Sequence, residues 1–279
     1  MRKQCLALLV FALIVGSLTM IEPLRAEDAP GVRVLAAGSL RMAIGEIAAA
    51  FAYATKIKEE TGFGPSGVLR ERIEKGEAAD VFASADMGNP LALFRAGKAG
   101  PVVLFARNRL CALVRPGLSL TSETFLATLL DPQIKLGTST PKADPLGDYT
   151  WAMFAKADTI RPGSRATLEA KAQKLIGGAP ITPAPPAGSD VFAWYLREGH
   201  ADIFIEYCSA GAEFKKDLPG ATVVDLPPNL ATGADYRLTL LPTKKANAAD
   251  FAFFVLSLEG QTILSHNGFD APLLARPTQ

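Results

Sequence analysis

The chain has 279 residues, 49% of them hydrophobic, and its 29 basic and 28 acidic residues leave a formal net charge of +1. Single cores stop growing efficiently at ~250–300 residues, so this length points to two domains or lobes. The near-neutral balance supplies no field toward nucleic acid or an acidic membrane, and neither is expected as a partner.

Residues 1–26 read as an export signal. Arg2 and Lys3 precede an apolar run from Leu6 to Met20, and Leu24-Arg25-Ala26 offers a cleavage site. The run is short for a membrane-crossing helix and no comparable run follows, so a soluble, exported, periplasmic protein is expected. Cys5 lies ahead of the apolar core, which argues against lipid attachment at a mature N-terminal cysteine. Cys111 and Cys208 then remain in an oxidising compartment, where two readings stand: a disulfide, or two buried thiols.

The β-branched run Gly31 to Ala37 predicts a strand, followed by a turn at Gly38-Ser39 and a helix with Leu40, Ile44, Ile47 and Phe51 on one face. Ser39 therefore sits where a strand's carboxyl end meets a helix start, the place where ligands bind in open α/β sheets. Thr55 to Phe63 should hold the next strand, but only Ile57 and Phe63 are large and apolar, so a short or irregular one is expected. Gly64-Pro65-Ser66-Gly67 then opens a second helix with Leu69 and Ile73 facing inward and Gly76 ending it. Ser66 reads as an ordinary helix cap or, with the unpaired N–H groups and positive dipole end beside it, as an anion seat.

Val81 to Ala83 is a strand and Asn89 to Gly97 a helix. Val102 to Phe105 and Leu110 to Val114 read as two strand runs broken at Arg107-Asn108-Arg109, the pattern of a chain crossing between lobes. Phe125 to Leu130 is helical and Lys135 to Gly137 a short strand, and a turn-rich loop leads to a helix starting near Tyr149. Gly177 to Ser189 is an irregular Pro/Gly loop. Ser189-Asp190 then caps a helix through Leu196, and Ala201 to Glu206 is a strand. Further strands at Val223 to Leu226 and Tyr236 to Leu241 precede helices at Ala248 to Leu258 and Gly260 to Ser265. Strands alternating with helices define an α/β fold with mainly parallel sheets.

Catalytic signals are sparse. His200 and His266 are the only histidines, without metal-ligand spacing, and Ser39 lies in AAGSL rather than a G-x-S-x-G elbow. Phosphate-cradling and dinucleotide-binding glycine motifs are absent. A binding protein is expected rather than an enzyme, with a Ser-dependent hydrolase as the rival from another class.

Five motifs in order, AAGSL at Ala36–Leu40, GPSG at Gly64–Gly67, ADVFASAD at Ala79–Asp86, ADIFIEYCSAG at Ala201–Gly211 and LSLEGQTILSHNGF at Leu256–Phe269, resemble the molybdate-binding proteins of bacterial ABC importers. The resemblance implies a type II periplasmic binding protein: two α/β lobes joined by a two-strand hinge, with an oxyanion held between them. It divides the chain into signal 1–26, first lobe 27–107 with 230–279, and second lobe 108–229. It implies no cofactor and no direct cation ligand, a monomer, molybdate or tungstate as ligand, and the membrane permease of an ABC importer as partner. Sulfate, thiosulfate or another small anion is the alternative cargo. By motif, Ser39 and Ser66 would be the first-lobe ligands; Leu146 and Val191 would give backbone N–H groups and Tyr207 a phenol from the second. A site built only of such donors would prefer fully deprotonated oxyanions and discriminate against protonated phosphate. A disulfide between Cys111 and Cys208, near the expected hinge, would restrict lobe motion.

Overall fold

The computed structural model describes residues 31–178, 185–242 and 245–274; the expected signal and the centre of the Pro/Gly loop lie outside the described residues. The chain begins with β1 (Val32–Ala37), a 3-10 turn at Gly38–Leu40, α1 (Arg41–Thr55), β2 (Glu59–Gly64), α2 (Ser66–Glu74), β3 (Val81–Ser84) and α3 (Gly88–Arg95). A long β4 (Val103–Val114) leads into α4 (Phe125–Leu130), β5 (Leu136–Ser139), α5 (Pro145–Ile160), α6 (Ser164–Lys171), β6 (Gln173–Ile176) and α7 (Val191–Arg197). Then come β7 (Ile203–Tyr207), a 3-10 turn at Cys208–Ala210, α8 (Gly211–Asp217), β8 (Thr222–Asp225), β9 (Gly233–Leu240), α9 (Asn247–Leu256) and α10 (Leu258–His266).

Helical spacing places Ile44, Ile47 and Phe51 of α1 in the core, where the Phe51 ring meets Phe251 and Phe254 of α9 edge-on at 5.3 and 5.6 Å. The opposite face of the first sheet presents Leu35 and Phe82 to Leu69, Ile73 and Leu93, so helices cover both faces. In the second half, Phe204 of β7 packs with Ala193, Tyr195 and Leu196 of α7 and Phe214 of α8. Among the described residues no helix is long and apolar enough to cross a membrane.

Strand order is β2-β1-β3-β9-β4-β7-β5-β6, with β8 also on β4. The expectation of mainly parallel sheets holds only in part. The pairs β1/β2, β1/β3, β5/β6 and β5/β7 are parallel, while β9 and β4, where the chain passes between halves, make antiparallel ladders. The two runs expected around Arg107-Asn108-Arg109 form one strand. Its Val103–Arg109 part pairs with β9 and its Leu110–Val114 part with β7, so β4 belongs to both sheets. The arginines do not break it because their side chains pair outward, Arg107 with Asp235 at 2.9 Å and Arg109 with Asp225 at 3.3 Å.

The polar segment expected to be irregular forms β2, paired in register with β1 from Val32↔Glu59 to Ala37↔Gly64. It lies at the sheet edge, where one flank of the strand has no neighbour and few apolar residues are required. That register aligns the ends of β1 and β2, and so the two serine-bearing helix starts.

Candidate ligand site between the two halves

Ser39 follows β1 within the 3-10 turn, and its hydroxyl lies 2.9 Å from the Tyr236 hydroxyl on β9. Ser66 is the first helical residue of α2; Pro65 holds the cap position, so the reading of Ser66 as a cap is corrected. Instead the fully buried Ser66 Oγ accepts the N–H of Ala85, just past β3, at 3.1 Å. A hydroxyl that accepts one bond retains its own hydrogen, and among the described residues that hydrogen has no acceptor.

Across from these seats, Tyr207 ends β7 with its hydroxyl buried and without a partner among the described residues. Its ring meets Tyr236 at 5.6 Å between centroids and Tyr149 of α5 at 6.5 Å. Tyr149 in turn donates to the Ala85 carbonyl at 3.4 Å. A circuit therefore runs Ser39–Tyr236–Tyr207–Tyr149–Ala85–Ser66, and it brings three of the five expected ligand residues to one place between the sheets. Burial raises all three phenols, Tyr149 to about 12 and Tyr207 and Tyr236 well above the ordinary phenol value, so each stays a neutral hydroxyl.

The two expected amides stand behind aspartate caps. Pro145 at the first position of α5 suits a helix start, and the Asp144 carboxylate before it accepts the Leu146 N–H at 3.2 Å. Ser139 donates to the other Asp144 oxygen at 2.6 Å. At α7, Asp190 accepts the Ala193 N–H at 2.8 Å, and the half-buried Val191 packs toward the Phe204 cluster.

Glu206 completes this region. It is 3% exposed at the end of β7, with one carboxyl oxygen unpartnered among the described residues. Burial pushes its carboxyl well above the usual range, against the favourable Tyr207 N–H, and the charges of Asp144 and Asp190 push the same way. Asp144 is raised too, chiefly by burial and despite the Ser139 bond. The expectation of a purely neutral-donor site thus meets a second half that also carries buried carboxyl groups. Sequence reading passed over Asp144, Glu206, Tyr149 and Tyr236. The signals available were Asp-Pro at a helix start and a charge inside the otherwise apolar run IFIEY.

Cys111 and Cys208 are joined by a disulfide with a Cα–Cα distance of 5.0 Å. Cys111 pairs with Glu206 and Asp225 in the part of β4 that belongs to the second sheet, and Cys208 directly follows β7. The bond therefore ties neighbours within one sheet, and the expected restraint on motion between halves does not arise from it. His200 packs on Trp194 and Tyr195, ring centroids 5.2 and 5.8 Å away, while the Ser39 hydroxyl bonds Tyr236. No serine–histidine pair forms among the described residues.

Two α/β halves sharing a crossing strand, with polar groups converging between them, are the architecture of the type II periplasmic binding proteins. The model of the family described as bacterial extracellular solute-binding protein matches residues 32–270, and this chain belongs to that family. A relative from Pasteurella multocida, described only as an uncharacterized protein, is 34% identical over 239 residues, 85% of this chain and 98% of its own. Among solved structures, the periplasmic molybdate-binding protein of Azotobacter vinelandii superposes with a TM-score of 0.69 at 20% identity, covering 86% of this chain and 99% of that one. The sulfate-binding protein of Mycobacterium tuberculosis gives 0.70 at 17% identity, covering 87% of each chain. At such identities the structural likenesses establish the fold. The family and these neighbours are binding proteins rather than enzymes.

Proposed function

We propose that the protein captures a tetrahedral oxyanion, molybdate or tungstate, between the two halves and delivers it to the permease of an ABC importer, acting as a periplasmic monomer after removal of residues 1–26. The observation that carries this reading is the convergence of hydroxyl groups. Ser66 and Tyr207 each hold a buried hydroxyl hydrogen with no acceptor among the described residues, and Ser39 is tied to them through Tyr236. An acceptor-only ligand satisfies such groups, and the starts of α1 and α2 add the positive ends of two helix dipoles.

Residues 27–107 with 230–279 act as one lobe and 108–229 as the other, closing on the ligand. Ser39 and Ser66 bind from the first lobe; Tyr207, with the amide of Val191 and, on release from Asp144, that of Leu146, binds from the second. Glu206, held neutral by burial, offers an O–H donor there rather than a repelling charge.

Phosphate is a competing cargo for a specific reason. A neutral Glu206 carboxyl can accept as well as donate, so rejection of a protonated anion no longer follows from donor chemistry alone.

A thermal-shift screen of residues 27–279 against molybdate, tungstate, sulfate, thiosulfate and phosphate tests the reading, because a ligand that binds only the folded state raises the melting temperature by mass action. Molybdate or tungstate should give the largest shift, and Ser39→Ala with Ser66→Ala should abolish it. No shift with any anion overturns the proposal.

A further inference from the structure

Beside Ser66, the Gly67 N–H donates across the gap to the Ala143 carbonyl at 3.1 Å. Gly67 is the second residue of α2, and Ala143 lies in the loop between β5 and α5, so this is a backbone bond between the two halves. Approach is so close that a Cβ at position 67 would sit 2.5 Å from the Lys142 carbonyl oxygen and 2.7 Å from that of Ala143. Both obstacles are backbone atoms, which cannot swing aside as a long side chain can.

The opposing loop is held to receive this contact. Lys142 adopts φ 70°, a left-handed conformation that side chains other than glycine rarely take, and its N–H is fixed by Asp148 Oδ1 at 2.9 Å. Beneath it, a Cβ on Gly147 would lie 2.5 Å from Pro141 N and from the Thr140 carbonyl carbon, so the loop rests directly on the first turn of α5. A second bond crosses nearby, from Tyr149 to the carbonyl of Ala85, the residue whose N–H holds Ser66.

We propose that Gly67 is the closure-determining residue: its N–H, bonded to Ala143, latches the two halves together beside the Ser66 seat, and the absence of a side chain there is what permits closure. The inference rests on the oxyanion reading only for the ligand that drives closure. A methyl group at position 67 clashes with the opposite half alone, so Gly67→Ala leaves each half free to fold and opposes their approach. Lys142→Gly keeps the carbonyl in place and removes the left-handed strain, so it should leave the latch intact.

The test combines small-angle X-ray scattering with titration calorimetry, using sodium molybdate as probe and far-ultraviolet circular dichroism to confirm that each variant is folded. We expect wild type and Lys142→Gly to reach the same compact radius of gyration with saturating molybdate. Gly67→Ala should remain more expanded and bind molybdate at least tenfold more weakly. Equal radii for wild type and Gly67→Ala, both with and without molybdate, overturn the latch. If molybdate and the other screened anions fail to bind wild type, the oxyanion reading falls by itself, and the ligand-free radii of the two proteins decide the latch.

Discussion

The hydroxyl of Ser39 lies 2.9 Å from that of Tyr236, so a side chain of the first serine turn is tied to β9, which pairs with the strand that crosses between the halves. Tyr236 is fully buried and its hydroxyl stays protonated, so the bond joins two neutral groups, either of which can donate. The seat and the crossing strands are thereby one mechanical unit. Tyr236→Phe removes the bond while keeping the ring between Phe105, Tyr207 and Phe269. We expect a stability loss of about 1 kcal/mol and an oxyanion affinity lowered by roughly five- to tenfold, read by denaturant unfolding and calorimetry. Unchanged affinity would detach Ser39 from the site.

Ser66 serves two partners. Truncation to alanine leaves the buried Ala85 N–H without an acceptor, at a cost of about 1–3 kcal/mol, and removes the donor offered to the ligand. Urea unfolding of Ser66→Ala should show the first effect, and molybdate titration below the midpoint the second. Full-strength binding by the folded variant would place the ligand elsewhere.

Glu206 gives stability a pH dependence whose sign follows from its raised carboxyl. Below the unfolded value near 4.5 both states hold the proton and nothing is lost. Above it the unfolded chain ionises while the buried group keeps its proton, so stability falls as pH rises, by at most about 1.4 kcal/mol per pH unit, until the folded group ionises too. Glu206→Gln removes this loss. Its melting temperature should match wild type near pH 4 and exceed it increasingly as the pH rises above 4.5; a difference that does not change with pH would refute the assignment.

The disulfide closes a sequence separation of 97 residues, for which the chain-entropy model gives a stabilisation of about 4–5 kcal/mol. Because it lies within the second sheet, reduction should lower the melting temperature without changing anion affinity at temperatures where the protein stays folded. Melting curves and titrations with and without reductant check both halves of this statement.

Local signals in the sequence carried the alternation of strands and helices, because side-chain period and turn residues act within a few positions. Leu69 and Ile73 turned inward and Gly76 closed α2 with φ 97°, as their spacing required. Motifs brought Ser39, Ser66 and Tyr207 onto the candidate list, and the fold gathers them. Edge strands such as β2 and β6 were harder to read, since a strand with one free flank needs little apolar character. The antiparallel direction of β9 against β3 and β4 depends on partners far away in the chain, and nothing local encodes it.

The sequence by itself determined the alternating α/β class and carried the likeness to solute-binding proteins, since the first rests on side-chain period and the second on motifs of residues adjacent in the chain. Only the tertiary structure decided how the second half answers the first. Asp144, Asp190 and Glu206 come from separate elements, and their effect on one another depends on burial and distance. The Cys111–Cys208 bond falls within one sheet because β4 runs antiparallel to β7. Gly67 shows the difference most sharply: beside Ser66 it reads as a turn residue, and its need for no side chain arises from two carbonyl oxygens more than seventy residues away.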